Sequence, residues 1–182
     1  KTHHSMVIDN ICDFAHAFLH RKYRPFVDAQ LTHYESDDDR VYLTYDAQMA
    51  AGRISGIFVD RKRVNTKFIE LCYQYPYQWT NTGGSIKNWS FMLPIDERTT
   101  RAFFLFYFDS VKIPVLEMTA PKWLTQMVLN IAKPLVFKPI LLEDGVALEA
   151  EQEGYDENWN LPPIELNPVV PLLQKLTAQK WD

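Results

Sequence analysis

Arg101-Ala102-Phe103-Phe104-Leu105-Phe106-Tyr107-Phe108 carries the strongest strand signal in the chain, a dense run of residues that favour a pleated surface. Immediately before it, Pro94 to Thr100 has turn chemistry, and Ile86 to Leu93 reads as the preceding strand. Further back, Thr80-Asn81-Thr82-Gly83-Gly84 is a turn cluster. Lys67 to Tyr75, Ile54 to Val59 and Val41 to Tyr45 are three earlier strands. Short turns between successive strands leave no room for crossover helices, so the pattern predicts an antiparallel meander.

The pattern changes on both sides of the meander. Upstream, Val7, Ile8, Ile11, Phe14, Phe18 and Leu19 predict a helix over 7–22. An extended or irregular piece around Pro25 follows, with His33 in a surface loop and the acidic run Glu35 to Asp39 in a solvated turn. Downstream, Thr119-Ala120-Pro121 suits a helix start. The apolar stretch Trp123 to Leu142 is long enough to span a bilayer. Lys133, Lys138 and the prolines at 134 and 139 argue against that, and predict a kinked pair of helices. Contact of one of their faces with a membrane surface stays open. The helical pattern continues to Glu153 and stops at Gly154. A proline-rich loop over 160–171 then leads to a short amphipathic segment, 172–181. A helix, a sheet and a long helix, in that order, predict an α+β helix-grip (START/Bet v 1-like) domain, with a curved antiparallel sheet around a long C-terminal helix.

The chain has 182 residues, enough for one domain with a substantial core. Its hydrophobic content of 47% exceeds what disordered chains carry. A net charge of −4 gives no basic face for nucleic acid. Cys12 and Cys72 cannot build a disulfide framework, and so low a count fits a reducing compartment. Cys12 reads as a small core residue.

Within the first predicted helix, His16 and His20 are four residues apart and would share a face with Asp13. Two imidazoles so placed are half of a metal site. One carboxylate from elsewhere would complete a 2-His-1-carboxylate triad, the ligand set of non-haem ferrous oxygenases. Alone, such a pair is more often a polar helix face.

The wider stretch Asn10-x2-Asp13-x2-His16-x3-His20 resembles the mononuclear-iron motif of the Rieske non-haem iron oxygenases. Further on, Glu143-Asp144-x4-Glu149-x-Glu151-Gln152 resembles their third-ligand helix, departing from it by Glu151 in place of a Gln. The resemblance implies that His16, His20 and Asp144 bind Fe(II). It gives Asp13 the role of linking the iron to a Rieske [2Fe–2S] cluster on a neighbouring subunit. Asp109, at the end of the strongest strand, and Glu149 rank behind Asp144 as the carboxylate ligand.

That cluster needs two Cys and two His in paired motifs, which this sequence lacks. The expectation is therefore a catalytic domain over 1–182, with the cluster domain N-terminal to it in a longer protein. The implied partners are a reductase or ferredoxin, a small apolar or aromatic substrate, and further copies in a trimer, in the cytoplasm or at a membrane periphery. The monooxygenase branch, which includes demethylases and pheophorbide and chlorophyllide oxygenases, is closer than the aromatic dioxygenases. Cavity candidates are Phe14, Phe18, Phe91, Phe104, Phe106 and Phe108, of which half should face outward or into ordinary core. The main rival is a metal-free START-like carrier of hydrophobic ligands. A zinc hydrolase ranks last, because no Glu follows the first His as in H-E-x-x-H.

Overall fold

A computed structural model describes residues 1–15, 20, 26–49, 66–108, 120–160 and 165–181. Helix α1 (His4–Cys12) begins where the His3 side chain accepts the Ser5 N–H. It buries Met6, Ile8 and Cys12 against the sheet. Asp13 ends it. That residue's backbone is extended, and its carboxylate takes the Ala15 N–H at 2.9 Å, an alternative to continuing the helical ladder. The single helix expected over 7–22 is thus cut at Cys12, and Asp13 lies beyond it. His16 and Phe18 lie outside the described residues.

Among the described residues six strands follow: β1 (Phe26–Ser36), β2 (Arg40–Met49), β3 (Thr66–Gln74), β4 (Tyr77–Thr82), β5 (Ile86–Asp96) and β6 (Thr99–Phe108). Each pairs antiparallel with the next, so spatial order equals sequence order and the meander is as expected. The extended or irregular piece expected here is the strand β1, and His33 sits exposed on that strand rather than in a loop. The acidic turn shrinks to the residues between Ser36 and Arg40, where the Asp37 carboxylate accepts the N–H groups of Asp39 and Arg40. β4 takes in Thr80 to Thr82, and the turn contracts onto Gly83 and Gly84, both at positive φ, where glycine carries no Cβ penalty. The expected strand at 54–59 is outside the described residues.

Alternation sorts the two sheet faces. Val41–Tyr73, Leu43–Leu71 and Tyr45–Ile69 are opposite pairs whose side chains are all buried, and they form the floor of the core. Register shifts between Val27 and Gln30, Leu31 and His33, and Pro94 and Asp96 mark bulges, the device that bends a sheet.

From Lys122 onward the described residues are mostly helical. α2 (Lys122–Ala132) runs through a π turn (Lys133–Phe137) into α3 (Lys138–Glu157). Prolines at 134 and 139 lack the N–H that an α-helix needs, so the expected break takes the form of a π turn inside one helical run. Gly154 does not stop α3. α4 (Val170–Trp181) closes the core with Leu173 and Leu176. Its Trp181 indole donates to the Tyr73 hydroxyl at 3.0 Å, tying the helix to the sheet. The inward side of α3 carries Leu148 into the core. One turn later, Gln152 accepts the His3 N–H at 2.8 Å. The architecture is the α+β helix-grip arrangement expected, a bulged antiparallel sheet with a long C-terminal helix.

Candidate metal centre

Residues distant in sequence meet around His20. Its ring is 1% exposed. Glu143 Oε2 stands 3.4 Å from Nδ1, and Asp144 Oδ1 stands 3.4 Å from Nε2. Consecutive helix residues diverge by about 100°, which lets the adjacent acids approach the two nitrogens of one ring from different sides. Asp144 precedes Leu148 by one turn and so shares the inward side of α3.

The chemistry of this trio calls for a cation. A neutral imidazole carries one N–H, so it can satisfy one carboxylate and must turn its lone pair toward the other. Either a second proton or a metal ion removes that conflict. Two donors each about 2.1 Å from a divalent ion stand about 3.0–3.5 Å apart when adjacent in its shell, the range of the His20–Asp144 separation. Glu143 on Nδ1 then has the place of the outer carboxylate that fixes the tautomer and orientation of a ligating His. Among the described residues no three His, Cys, Asp or Glu side chains are grouped to hold a metal. Of the expected set, His20 and Asp144 approach each other at 3.4 Å, and His16 is outside those residues.

Asp13 sits just past the end of α1. Asn167, buried in the loop before α4, donates to Asp13 Oδ1 at 2.7 Å, and its own Oδ1 accepts the Val169 N–H at 3.0 Å. Around it lie further acids. Burial, opposed by a hydrogen bond from Gln174 and reinforced by Glu151, Glu165 and Asp13, pushes the Asp9 carboxyl up to about 7. Burial, then Glu165 and Asp13, also raises Glu151. Burial holds the Cys12 thiol well above its usual value, so this cysteine is the inert core residue expected.

The remaining candidates separate clearly. Glu149 is exposed on α3, one turn past Asp144. Asp109 is outside the described residues. Phe104, Phe106 and Phe108 alternate onto the inner face of β6, and Phe106 stacks on Phe137 of the π turn at 5.2 Å. Phe106 remains 37% exposed, so this aromatic wall is open on one side. Phe91 faces outward, and Phe14 packs on Tyr45 in the core. Sequence reasoning missed Glu143 and Asn167. Glu143 carried a signal as the neighbour of the matched Asp, whereas nothing in sequence marks Asn167 as the partner of a residue so far away.

Residues 1–170 match the family model described as the vanillate O-demethylase oxygenase C-terminal domain. A 4beta-methylsterol monooxygenase of Methylococcus capsulatus is 39% identical over 181 residues, covering 100% of this chain and 49% of the relative. The chain thus spans about half the length of that protein. A crystal structure of the quaternary ammonium Rieske monooxygenase CntA, in complex with an inhibitor, aligns with a TM-score of 0.48 at 13% identity, over 82% of this chain and 35% of that one. The chain belongs to the vanillate O-demethylase oxygenase C-terminal domain family.

Proposed function

We propose that this domain holds one ferrous ion on His16, His20 and Asp144 and uses it, with dioxygen, to oxidise an apolar organic substrate. The observation that carries the reading is the meeting of a buried imidazole with a carboxylate from the far end of the chain at a separation suited to a shared cation. When bound, the iron supplies the site at which dioxygen is activated. Everything else falls to the protein. His20 offers Nε2 while Glu143 holds Nδ1–H, so the ring enters as a neutral donor in a fixed orientation. Asp144 contributes negative charge that stabilises the ferrous state against loss of the ion. Asp13 is gripped by Asn167 and the Ala15 N–H, and so holds its carboxylate in the fixed place that a group relaying electrons from a Rieske cluster needs.

The open aromatic wall of Phe104, Phe106, Phe108 and Phe137 suits a flat, apolar molecule. With the relative acting on a 4β-methylsterol, a methylated sterol or a similarly rigid ring system is the substrate class to try first. The cluster, its reductase or ferredoxin, and a trimer that sets one subunit's cluster beside another's iron complete the proposed enzyme.

Anaerobic ferrous loading of the full-length protein tests the site. Asp144→Ala and His20→Ala should each lose the mononuclear iron while the far-UV spectrum stays native and any cluster iron remains. Full mononuclear iron in both variants would place the ligands elsewhere, and a parent protein that takes up no mononuclear iron would favour the metal-free carrier.

A further inference from the structure

The helical run of α2 and the π turn carries an apolar stripe that packs on nothing described. Trp123, Met127, Ile131 and Leu135 recur every four residues and are 69%, 48%, 55% and 59% exposed. In an uninterrupted α-helix this spacing drifts by about 40° at each step. The π turn, with more residues per turn, swings Leu135 back toward the line of the others. The opposite side of α2 is the packed one, with Ala132 buried.

Charge gives the stripe a direction. Between Glu117 and Glu143 the sequence contains no acid, and its charged residues are Lys122, Lys133 and Lys138, all exposed. Lys122 and Lys133 are eleven residues, or about three turns, apart and therefore lie on nearly the same line along the helix, beside the apolar stripe. Gln126 and Asn130 fill the same flank, hydrogen-bonded to each other at 3.1 Å. This purely cationic segment stands out in a chain of net charge −4. No helix of the described residues is long and apolar enough to cross a membrane.

We infer that this face docks the domain on an anionic phospholipid surface, with Trp123, Met127, Ile131 and Leu135 inserted among the acyl chains and the three lysines on the headgroups. An apolar stripe flanked by Lys, with Trp at its end, is the pattern of a helix lying in the interfacial plane. A soluble protein partner would meet the stripe equally well, but it gives no reason for the exclusion of acids over two dozen residues. A lipid surface does, because each lysine near an anionic leaflet strengthens binding about fivefold.

Flotation of the full-length protein with vesicles tests this, using phosphatidylcholine alone and phosphatidylcholine doped with phosphatidylglycerol. Binding should be selective for the anionic vesicles and weaken with salt. Ile131→Glu and, separately, Trp123→Ala should each reduce it about tenfold or more, with unchanged far-UV spectra. Lys122→Gln/Lys133→Gln/Lys138→Gln should abolish the lipid selectivity. Absence of flotation, or flotation unchanged in Ile131→Glu and Trp123→Ala, would overturn the inference. So would a concentration-dependent dimer in vesicle-free solution that Ile131→Glu dissolves, since the stripe would then belong to a second copy. Iron-free protein should float equally well, which separates this outcome from the fate of the proposed iron site.

Discussion

Replacing Asp9 by Asn isolates the strain that the acidic layer around Asp13 places on the fold. In the native state burial lifts the Asp9 carboxyl from 3.8 to about 7, with Glu151, Glu165 and Asp13 adding to the rise and Gln174 opposing it. The sign follows from proton counting. Between about pH 4 and 7 the native protein keeps a proton that the unfolded chain has lost, so stability falls as pH rises through that window and levels off above it. Three pKa steps at about 1.4 kcal/mol each bound the loss at about 4 kcal/mol, and about 2–4 kcal/mol is a sensible expectation. Asn cannot ionise, and its amide oxygen still accepts the Gln174 Nε2–H that Asp9 Oδ2 receives at 3.0 Å. Asp9→Asn should therefore match the parent near pH 4.5 and exceed it near pH 8. For a chain of this length the gap corresponds to a Tm difference of about 5–10 °C. Thermal melts of both proteins at several pH values give the answer. A gap that does not change with pH, or an Asn variant that is the weaker at pH 8, would refute the buried-acid argument.

Asn167→Ala removes the hydrogen bond to a carboxylate and the cap on Val169 at once, and should cost about 2–4 kcal/mol in denaturant unfolding. Val169→Ala as a control would lack the effect on Asp13. Leu173→Ala empties a fully buried position between α4 and the sheet, and should lower stability by about 2–5 kcal/mol with iron content unchanged. Asp13→Asn in the full-length protein should keep iron and substrate binding yet lose turnover about a hundredfold or more, measured as product per dioxygen consumed. An active Asp13→Asn enzyme would end its role in electron relay.

The sheet was legible because β6 is dense in aromatics, β2 and β3 alternate or run apolar, and a short turn joins β5 to β6. β1 was hidden. Asp28, Gln30, Thr32 and His33 break its hydrophobic pattern, and as an edge strand it needs little burial. β4 was hidden for a different reason: its Thr80-Asn81-Thr82 end has turn-forming composition, and pairing on both sides overrides that. The early end of α1 depends on one carboxylate choosing the Ala15 N–H over solvent, a local contest that periodicity does not register.

For the site, local sequence chemistry determined the residue types: Asp13, His16 and His20 clustered near one end of the chain, and Asp144 following an apolar run near the other. Only the folded chain decided that His20 lies buried between Glu143 and Asp144, and that Asn167 grips Asp13. Spacing along a chain fixes which side chains share a turn or a strand face. Contacts across more than a hundred residues are set by how helices and sheet pack, and that packing is a property of the whole core.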